Sequence, residues 1–388
     1  MALPSVMESM KYPMPSPLRS GGTTLVMTVA IKPIPSIAKE QQSVNAEGSP
    51  VSLRVGGRHD ICAIPRVNPV LEAMAALTVA DALLLQELET ARPGQHLMEK
   101  VGGGYWRVYL RNAEEQGAAP ETLYAMFRET ARNGHGSRER FRAKLRELEA
   151  LCKEGLLPFS PGIFQLYWLN YEAAGLPAVH HSQQYRHAYL PSYRVIAENF
   201  ARFFELFLRI DRILRRTESP LLVAIDGPCA AGKTTLAAQL AACYECSVFH
   251  TDDFYLRPEQ KTPQRFAQAG GNMDRERLAT EVLDPLRRRE TVLYRPYSCK
   301  TQTVSNGSSV SFRRLNIIEG SYSLHPDLRK YYDLKVVLDI APEHQWNRLK
   351  RRESQKSLEQ FRDRWIPLEQ QYAKDTKLMD CADLYYPF

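Results

Sequence analysis

The stretch IDGPCAAGKTTLA, residues 225–237, decides the fold of the second half of this 388-residue chain. Residues 227–234 match the pattern GxxxxGK[ST] without a mismatch. A strand-like run, LLVAIDG, precedes the match and a helical run, KTTLAAQLAACY, follows it, as a phosphate-binding loop requires. Glycines in such a loop let backbone N–H groups turn toward phosphate oxygens, and the helix adds the positive end of its dipole. The stretch therefore predicts a nucleoside triphosphate site.

The residue types in the loop assign a task to each position. The Lys233 ammonium is expected to reach the β- and γ-phosphates, and the Thr234 hydroxyl is expected to bind Mg²⁺. The expected ATP-binding residues are Gly227, Ala230, Ala231, Gly232, Lys233, Thr234 and Thr235.

Downstream of the loop, short apolar runs alternate with helical patterns. CSVFHTDDFY, LNIIEG and LKVVLDI read as further buried strands, and PEHQWNRLKRRE and SLEQFRDRWIPLEQQYAK read as helices. Short apolar strands between helices are typical of a parallel sheet covered on both faces. The fold class expected for residues 217–388 is therefore a three-layer α/β domain.

Acidic residues follow two of these strands. Asp252 and Asp253 come after the second strand, where one carboxylate can accept the proton of an attacking hydroxyl; the alternative is that they cap the next segment. Glu319 ends the strand LNIIEG and is expected on the metal side, although a solvent contact at the strand end is the alternative. An acid at each strand end favours a kinase over other nucleotide-binding proteins.

A cluster of arginines lies on the helix RLKRRE. Arg348, Arg351 and Arg352 are candidates for closing over the γ-phosphate and stabilising transition-state charge. A solvated basic helix face is the alternative.

These motifs together resemble the uridine kinase family of P-loop kinases, over about residues 217–388. The resemblance rests on IDGPCAAGKTT, TDDFY, GGNMD, YRPYSC, IIEGSYSL and RLKRRE. It implies an ATP- and Mg²⁺-dependent enzyme whose general base is Asp252, and it implies acceptor contacts by Asp253, Tyr255, Asp274 and Tyr297. Ser298 stands where the family has an Asp after the tyrosine. A nucleoside acceptor is therefore expected, with a sugar phosphate, pantothenate or a nicotinamide nucleoside as alternatives.

The residues before the loop divide into two further parts. Residues 96–216 are dominated by helical patterns, among them SRERFRAKLRELEALCKEG and RVIAENFARFFELFLRIDRILRR, and we expect a helical region of unknown role. Between them VHHSQQYRHAYLPSYR reads as a surface connector, with anion binding as the alternative. The expected domains are therefore 1–95, 96–216 and 217–388.

The first part, expected to be a small α+β fragment, resembles the C-terminal end of chorismate synthase, an FMN-dependent enzyme. KPIPSIAKEQQSV and GGRHDICAIPRVNPVLEAMAALTVADALL carry the resemblance, over about residues 15–90. It implies a vestigial FMN site at Lys32, Ser36, Arg58 and Asp60. The family takes its two working histidines from a longer N-terminal part, so we expect neither FMN binding nor synthase activity. A non-catalytic fusion, or a binding module of the shikimate pathway, is the alternative to the kinase function. The apolar helix pattern also predicts self-association through this fragment.

Composition limits the remaining possibilities. The chain has 44% hydrophobic and 24% charged residues and a formal net charge of +7, which suits a soluble protein that binds anionic small molecules. We expect no nucleic-acid partner, because no basic run with interleaved aromatic residues occurs, and no membrane span. Seven irregularly spaced cysteines, including the CYEC of 243–246, favour reduced thiols and a cytoplasmic location.

Overall fold

A computed structural model describes residues 41–44, 49–53, 96–134, 136–157, 160–176, 181–298 and 301–388. The chain divides into two compact units, residues 1–83 and 84–388. In the first unit the described part is an antiparallel hairpin of β1 (Gln41–Val44) and β2 (Pro50–Leu53). Among the described residues no helix is both long and apolar enough to cross a bilayer.

The second unit begins with a three-stranded antiparallel sheet and its helices. Strands β3 (Met98–Gly102), β4 (Tyr105–Tyr109) and β5 (Tyr193–Ala197) pair in the order β3-β4-β5. The helices are α1 (Leu110–Glu115), α2 (Pro120–Arg132), α3 (Arg138–Lys153), α4 (Pro161–Ala173), α5 (Gln183–Tyr189), α6 (Glu198–Arg202) and α7 (Phe204–Arg216).

The predicted helical region, residues 96–216, also contains the three strands β3, β4 and β5. RVIA, predicted to begin a helix, forms most of β5, and its β-branched Val195 and Ile196 pair with Arg107 and Trp106 of β4. Val and Ile fit a pleated, half-buried surface well, so strand pairing prevails over the helical pattern here.

The rest of the unit is built on a five-stranded parallel sheet. Its strands are β6 (Leu221–Asp226), β7 (Cys246–His250), β12 (Leu315–Glu319), β13 (Leu334–Leu338) and β14 (Leu384–Tyr386), in the order β14-β13-β6-β12-β7. Between β7 and β12 lie the short strands β8 (Val292–Tyr294), β9 (Tyr297–Ser298), β10 (Thr303–Val304) and β11 (Ser308–Val310).

Helices cover this sheet on both faces. They are α8 (Lys233–Cys243), α9 (Pro263–Phe266), α10 (Arg275–Leu278), α11 (Asp284–Arg287), α12 (Pro342–Arg352), α13 (Gln355–Gln360) and α14 (Ile366–Asp375), with π-helical turns at Ala279–Leu283 and Phe361–Trp365. Alternate residues of β6 enter the two cores: Val223 and Ile225 face one, and Leu222 and Ala224 face the other. The three-layer α/β fold with a parallel sheet is thus confirmed.

One of the two cores continues into the part of the chain before the loop. Val108, Met126 and Phe207 belong to the same buried cluster as Val223 and Leu236. Burial of each such side chain stabilises the fold by about 1.5–3 kcal/mol. Residues on both sides of the boundary predicted between 216 and 217 share this core. The division of the chain into three domains stays a prediction.

Candidate active site

The phosphate loop lies between β6 and α8, and two glycines make its turns. Gly227 has φ +139°, and a Cβ there would lie 2.0 Å from the Leu338 carbonyl oxygen of the neighbouring strand. Gly232 has φ +104° and stands directly before the first residue of α8. Side chains larger than hydrogen are excluded at Gly227, so the sequence fixes how the loop leaves the sheet.

A buried carboxylate anchors the base of this loop. Asp226 accepts hydrogen bonds from the N–H groups of Gly227 (2.6 Å) and Leu324 (2.8 Å) and from the Tyr372 hydroxyl (2.8 Å). Burial raises the pKa of Asp226 although these bonds oppose the rise. Asp226 therefore joins the loop to the segment after β12 and to α14, and no motif in the sequence indicates that role.

Lys233 is buried beneath the loop. Its Nζ donates to the carbonyl oxygens of Gly227 (2.9 Å) and Pro228 (3.0 Å) and contacts the Ser321 hydroxyl at 3.3 Å. The ammonium is therefore positioned within the loop itself. Six of the seven predicted ATP-binding residues line the cavity described next, and Gly227 does not.

A cavity of about 1090 Å³ opens above the loop. It spans the carboxyl edge of the sheet, because Asp252 follows β7 at one end of the strand order and Phe388 follows β14 at the other. Ligands of open α/β sheets bind at this edge. We call the part beside β7 the near arm and the part beside β14 the far arm. The near arm is lined by Asp252, Tyr255, Lys261, Phe266, Asn272, Tyr297, Arg364 and Trp365; the far arm by Glu198, Asn199, Arg202, Phe203, Gln239 and Phe388.

The predicted metal-side residues meet in the cavity. The Thr234 hydroxyl donates to Oε1 of Glu319 at 3.0 Å, and His250 Nδ1 lies 2.5 Å from the same oxygen. The other oxygen, Oε2, is buried and has no hydrogen-bond partner in the described part of the chain. The hydrogen bond to Glu319 raises the pKa of His250. A hydroxyl beside an unpaired buried carboxylate oxygen is a donor set that fits Mg²⁺.

The two neighbouring aspartates point in different directions. Asp252 lines the cavity, and its Oδ1 accepts from the Tyr255 hydroxyl at 3.1 Å. Asp253 does not line the cavity; its Oδ2 lies 3.5 Å from the Tyr294 hydroxyl, and burial raises its pKa. The structure thus brings only the first of the pair to the phosphate loop.

Two other predicted residues also lie away from the cavity. Asp274 is buried at the N-terminus of α10, where it accepts from the Arg277 N–H at 3.2 Å and pairs with the Arg277 side chain at 3.3 Å. Arg351 is exposed on α12 and does not line the cavity. Asp274 therefore caps and packs against α10, whereas the family resemblance implies a contact with the acceptor.

The other two predicted arginines of α12 do reach the cavity. Arg348 donates to the Ala230 carbonyl oxygen at 2.9 Å, and Arg352 lines the wall while its Nε contacts Glu353 at 2.7 Å. Arg364 and Trp365, which the sequence did not single out, come from the π-helical turn after α13. The Trp365 ring lies 6.4 Å from that of Tyr255.

Glu369 of α14 is a further carboxylate that sequence reasoning missed. It accepts from the backbone N–H of Cys229 in the loop at 2.9 Å and from the Ser321 hydroxyl at 2.7 Å. The side chain of Glu369 therefore joins the loop and the segment after β12 to α14. Its distance of 140 residues from Cys229 left no signal in the sequence.

The vestigial FMN-site residues, Lys32, Ser36, Arg58 and Asp60, lie outside the described residues.

Comparison with known proteins separates the two ends of the chain. Residues 19–84 match the chorismate synthase family model, which confirms the resemblance of the first part. This chain is 64% identical over 67 residues to chorismate synthase of Nitratidesulfovibrio vulgaris, covering 17% of the chain and 19% of the relative. It is 61% identical over 72 residues to that of Oleidesulfovibrio alaskensis, covering 19% and 20%. The chain therefore spans about a fifth of the length of these relatives.

Among solved structures, one match covers about half of this chain. A possible uridine kinase from Bacillus stearothermophilus superposes with a TM-score of 0.39 at 23% identity, covering 49% of this chain and 99% of that one. A likeness of that degree leaves the reaction of the P-loop half to be argued from its own site.

Proposed function

We propose that the P-loop half is an ATP- and Mg²⁺-dependent kinase that transfers the γ-phosphoryl group to a hydroxyl of a nucleoside resembling uridine or cytidine. One observation carries the proposal: Lys233, Thr234, Glu319 and Asp252 line a single cavity above an intact phosphate loop. Asp252 in that cavity can serve as the base that an acceptor hydroxyl requires.

In the proposed reaction the chain acts by position and charge. The loop N–H groups and Lys233 hold the phosphates, and Asp252 accepts the proton of the acceptor hydroxyl as the new P–O bond forms and the bond to the β-phosphate breaks. Mg²⁺ held by Thr234 and Glu319 would neutralise phosphate charge. Arg348 and Arg352, which line the cavity, would offset charge in the transition state, and closure of their helix would exclude water.

The near arm supports a nucleoside as the acceptor. Tyr255, Tyr297, Phe266 and Trp365 give it aromatic walls, against which a planar base can stack. Asp252 lies beside one of them, with the Tyr255 hydroxyl at 3.1 Å. A base held on these rings leaves its sugar hydroxyl close to the carboxylate.

A second candidate acceptor carries negative charge, for example a sugar phosphate. Lys261 and Arg364 favour it, since both are cations of the near arm, and Lys261 Nζ lies 3.3 Å from the Tyr297 hydroxyl. Pantothenate, a carboxylate, belongs to the same class, whereas a nicotinamide nucleoside belongs with the first candidate.

For the first part of the chain we propose no synthase activity. The match covers residues 19–84 and about a fifth of the length of chorismate synthases, too little to enclose a flavin and its substrate. The full chain is expected to release no phosphate from 5-enolpyruvylshikimate 3-phosphate in the presence of reduced FMN, and measured turnover would contradict this.

An acceptor screen tests the kinase proposal. The full chain is incubated with Mg²⁺ and γ-labelled ATP and a panel of nucleosides, sugar phosphates and pantothenate. We expect labelled product with at least one acceptor and a loss of at least about a hundredfold in Lys233→Ala. ATP hydrolysis that no acceptor stimulates and that Asp252→Asn leaves unchanged would overturn the assignment.

A further inference from the structure

The far arm is not used by phosphoryl transfer as proposed above, and its wall comes from the part of the chain before the phosphate loop. Glu198, Asn199 and Arg202 of α6, together with Phe203, line it with Gln239 and Phe388. We propose that this arm is the subsite for the purine base of the donor nucleotide, completed by α6. The proposal rests on the kinase function proposed above and gives residues 96–216 a part in it.

The direction of a bound nucleotide follows from the sheet. The transferred phosphate must face Asp252, which follows β7 at one end of the strand order β14-β13-β6-β12-β7. The rest of the nucleotide therefore leaves the loop toward the opposite end, where β14 leads to Phe388. Strands lie ~4.8 Å apart, so the far arm begins about 10 Å from the loop, within reach of an extended nucleotide.

The apolar part of the far arm suits a planar ring. The Arg202 guanidinium carbon lies 4.4 Å from the centroid of the Phe388 ring, and the Phe203 ring packs 5.9 Å from the same ring on another side. One face of the guanidinium is thus covered, while the Arg202 side chain remains exposed along the cavity. A purine base can stack on the open face of the guanidinium, as bases do on arginine planes.

The polar part of the arm has unused hydrogen-bonding capacity. The Gln239 Oε1 atom is buried and has no partner in the described part of the chain. Burying a hydrogen-bond acceptor without a partner costs free energy, and a donor group of a bound ligand would remove that cost. Gln239 and Asn199 both carry amides, which can give and accept a hydrogen bond at a purine edge that has both kinds of group.

The subsite is held rigidly by its own backbone. The Glu198 N–H donates to the Gly104 carbonyl oxygen at 2.8 Å, and the Ala197 N–H donates to the Thr130 hydroxyl at 2.9 Å. Phe200 of α6 is buried on the side that packs into the core. The start of α6 is therefore bonded to the β3–β4 turn and adjoins a residue held by α2, so its exposed side chains are preorganised along the cavity.

The test compares a nucleotide with the same phosphate chain lacking a base. Affinities of the full chain for ATP and for inorganic tripolyphosphate are measured in Mg²⁺ by calorimetry, for the wild type and for Asn199→Ala, Arg202→Ala and Gln239→Ala. Each variant is expected to bind ATP about tenfold more weakly and tripolyphosphate as the wild type does, since only the base contact is lost. Arg216→Ala, at the far end of α7, is the matched arginine control and is expected to change neither affinity.

The outcomes separate this inference from the proposed function. If the three variants bind ATP as tightly as the wild type while Lys233→Ala loses both ligands, the subsite is wrong and the kinase proposal stands. An equal loss of ATP and tripolyphosphate affinity also overturns the subsite, because it indicates general damage. If the wild type binds neither ligand, both proposals fail.

Discussion

Gly227 is the single residue on which the shape of the phosphate loop depends most. Its φ of +139° and the Leu338 carbonyl oxygen, 2.0 Å from where a Cβ would stand, leave room for hydrogen alone. We expect Gly227→Ala to lower the free energy of unfolding by about 3 kcal/mol or more in urea titrations. Gly162→Ala is the control: nothing lies within 4 Å of the added carbon, so stability should be unchanged or up to about 1 kcal/mol higher. Equal effects of the two substitutions would contradict this reading of the loop.

Glu319 is the residue whose environment points most directly to a cation. Its Oε2 is buried without a partner in the described part of the chain, so Glu319→Gln should raise the Mg²⁺ concentration for half-maximal transfer about tenfold. The measurement is an Mg²⁺ titration of the transfer rate at fixed ATP. Glu359→Gln, an exposed acid on α13, is the control. An unchanged Mg²⁺ dependence in Glu319→Gln would remove this residue from the metal side.

Among single residues, the sequence predicts members of the site where they belong to one contiguous motif. The phosphate loop is a contiguous motif, and all but one of its seven predicted residues line the cavity. Asp226 and Glu369 were missed because their partners are 146 and 140 residues away. Asp274 matched a motif by type and order, but its side chain caps α10, which no spacing rule reveals.

Asp211 on α7 links the elements before and after the phosphate loop. It is 3% exposed and accepts from the Ala119 N–H (2.6 Å), the Thr122 hydroxyl (2.8 Å) and the Tyr244 hydroxyl (2.8 Å). Asp211→Ala removes the acceptor of three buried or half-buried donors and should cost about 3 kcal/mol of stability in chemical denaturation. Asp380→Ala, at an exposed site, should stay within about 0.5 kcal/mol of the wild type. If Asp211→Ala loses no more stability than the control, Asp211 does not join these elements.

Titration of Asp211 gives a second prediction for the same link. Burial raises its pKa in the folded protein above the ordinary value of 3.8, so the folded state holds the proton more tightly than the unfolded chain. Relative to Asp211→Asn, the wild type should gain stability as the pH falls through the raised folded value toward 3.8, and the difference should be flat at higher pH. Denaturation curves of both proteins across this pH range measure the difference in their free energies of unfolding. A wild type that loses stability relative to Asp211→Asn on acidification would contradict the raised pKa.

Helices and strands were predictable where the spacing of apolar residues and the length of the segment indicated the same type of element. The buried strand β6 and the helix α8 were indicated directly, whereas β5 was taken for a helix because an aromatic helix, α7, follows it closely. The π-helical turn Phe361–Trp365 is a local change of helical pitch without a sequence signature. It carries Arg364 and Trp365, a cation and a ring of the near arm, and for that reason the sequence did not indicate them.

The whole second unit is expected to fold together. Val108, Leu123 and Phe204 share a core with Ile225 and Leu240, so a chain beginning at residue 217 would expose a large apolar surface. We expect residues 96–388 to unfold in one cooperative step and residues 217–388 to bind a hydrophobic dye and lack a sharp thermal transition. A cooperative, nucleotide-binding 217–388 fragment would show instead that the earlier helices are dispensable.

The measurement that tests the central claim most directly is phosphoryl transfer in a single turnover, compared between two adjacent variants. Asp252 lines the cavity beside the loop, whereas Asp253 contacts Tyr294 outside it. With the acceptor found in the screen, Asp252→Asn should transfer the γ-phosphoryl group about 10²–10⁴-fold more slowly than the wild type, because the general base is lost. Asp253→Asn should stay within about tenfold of the wild type. Equal rates in the wild type and Asp252→Asn would contradict the account.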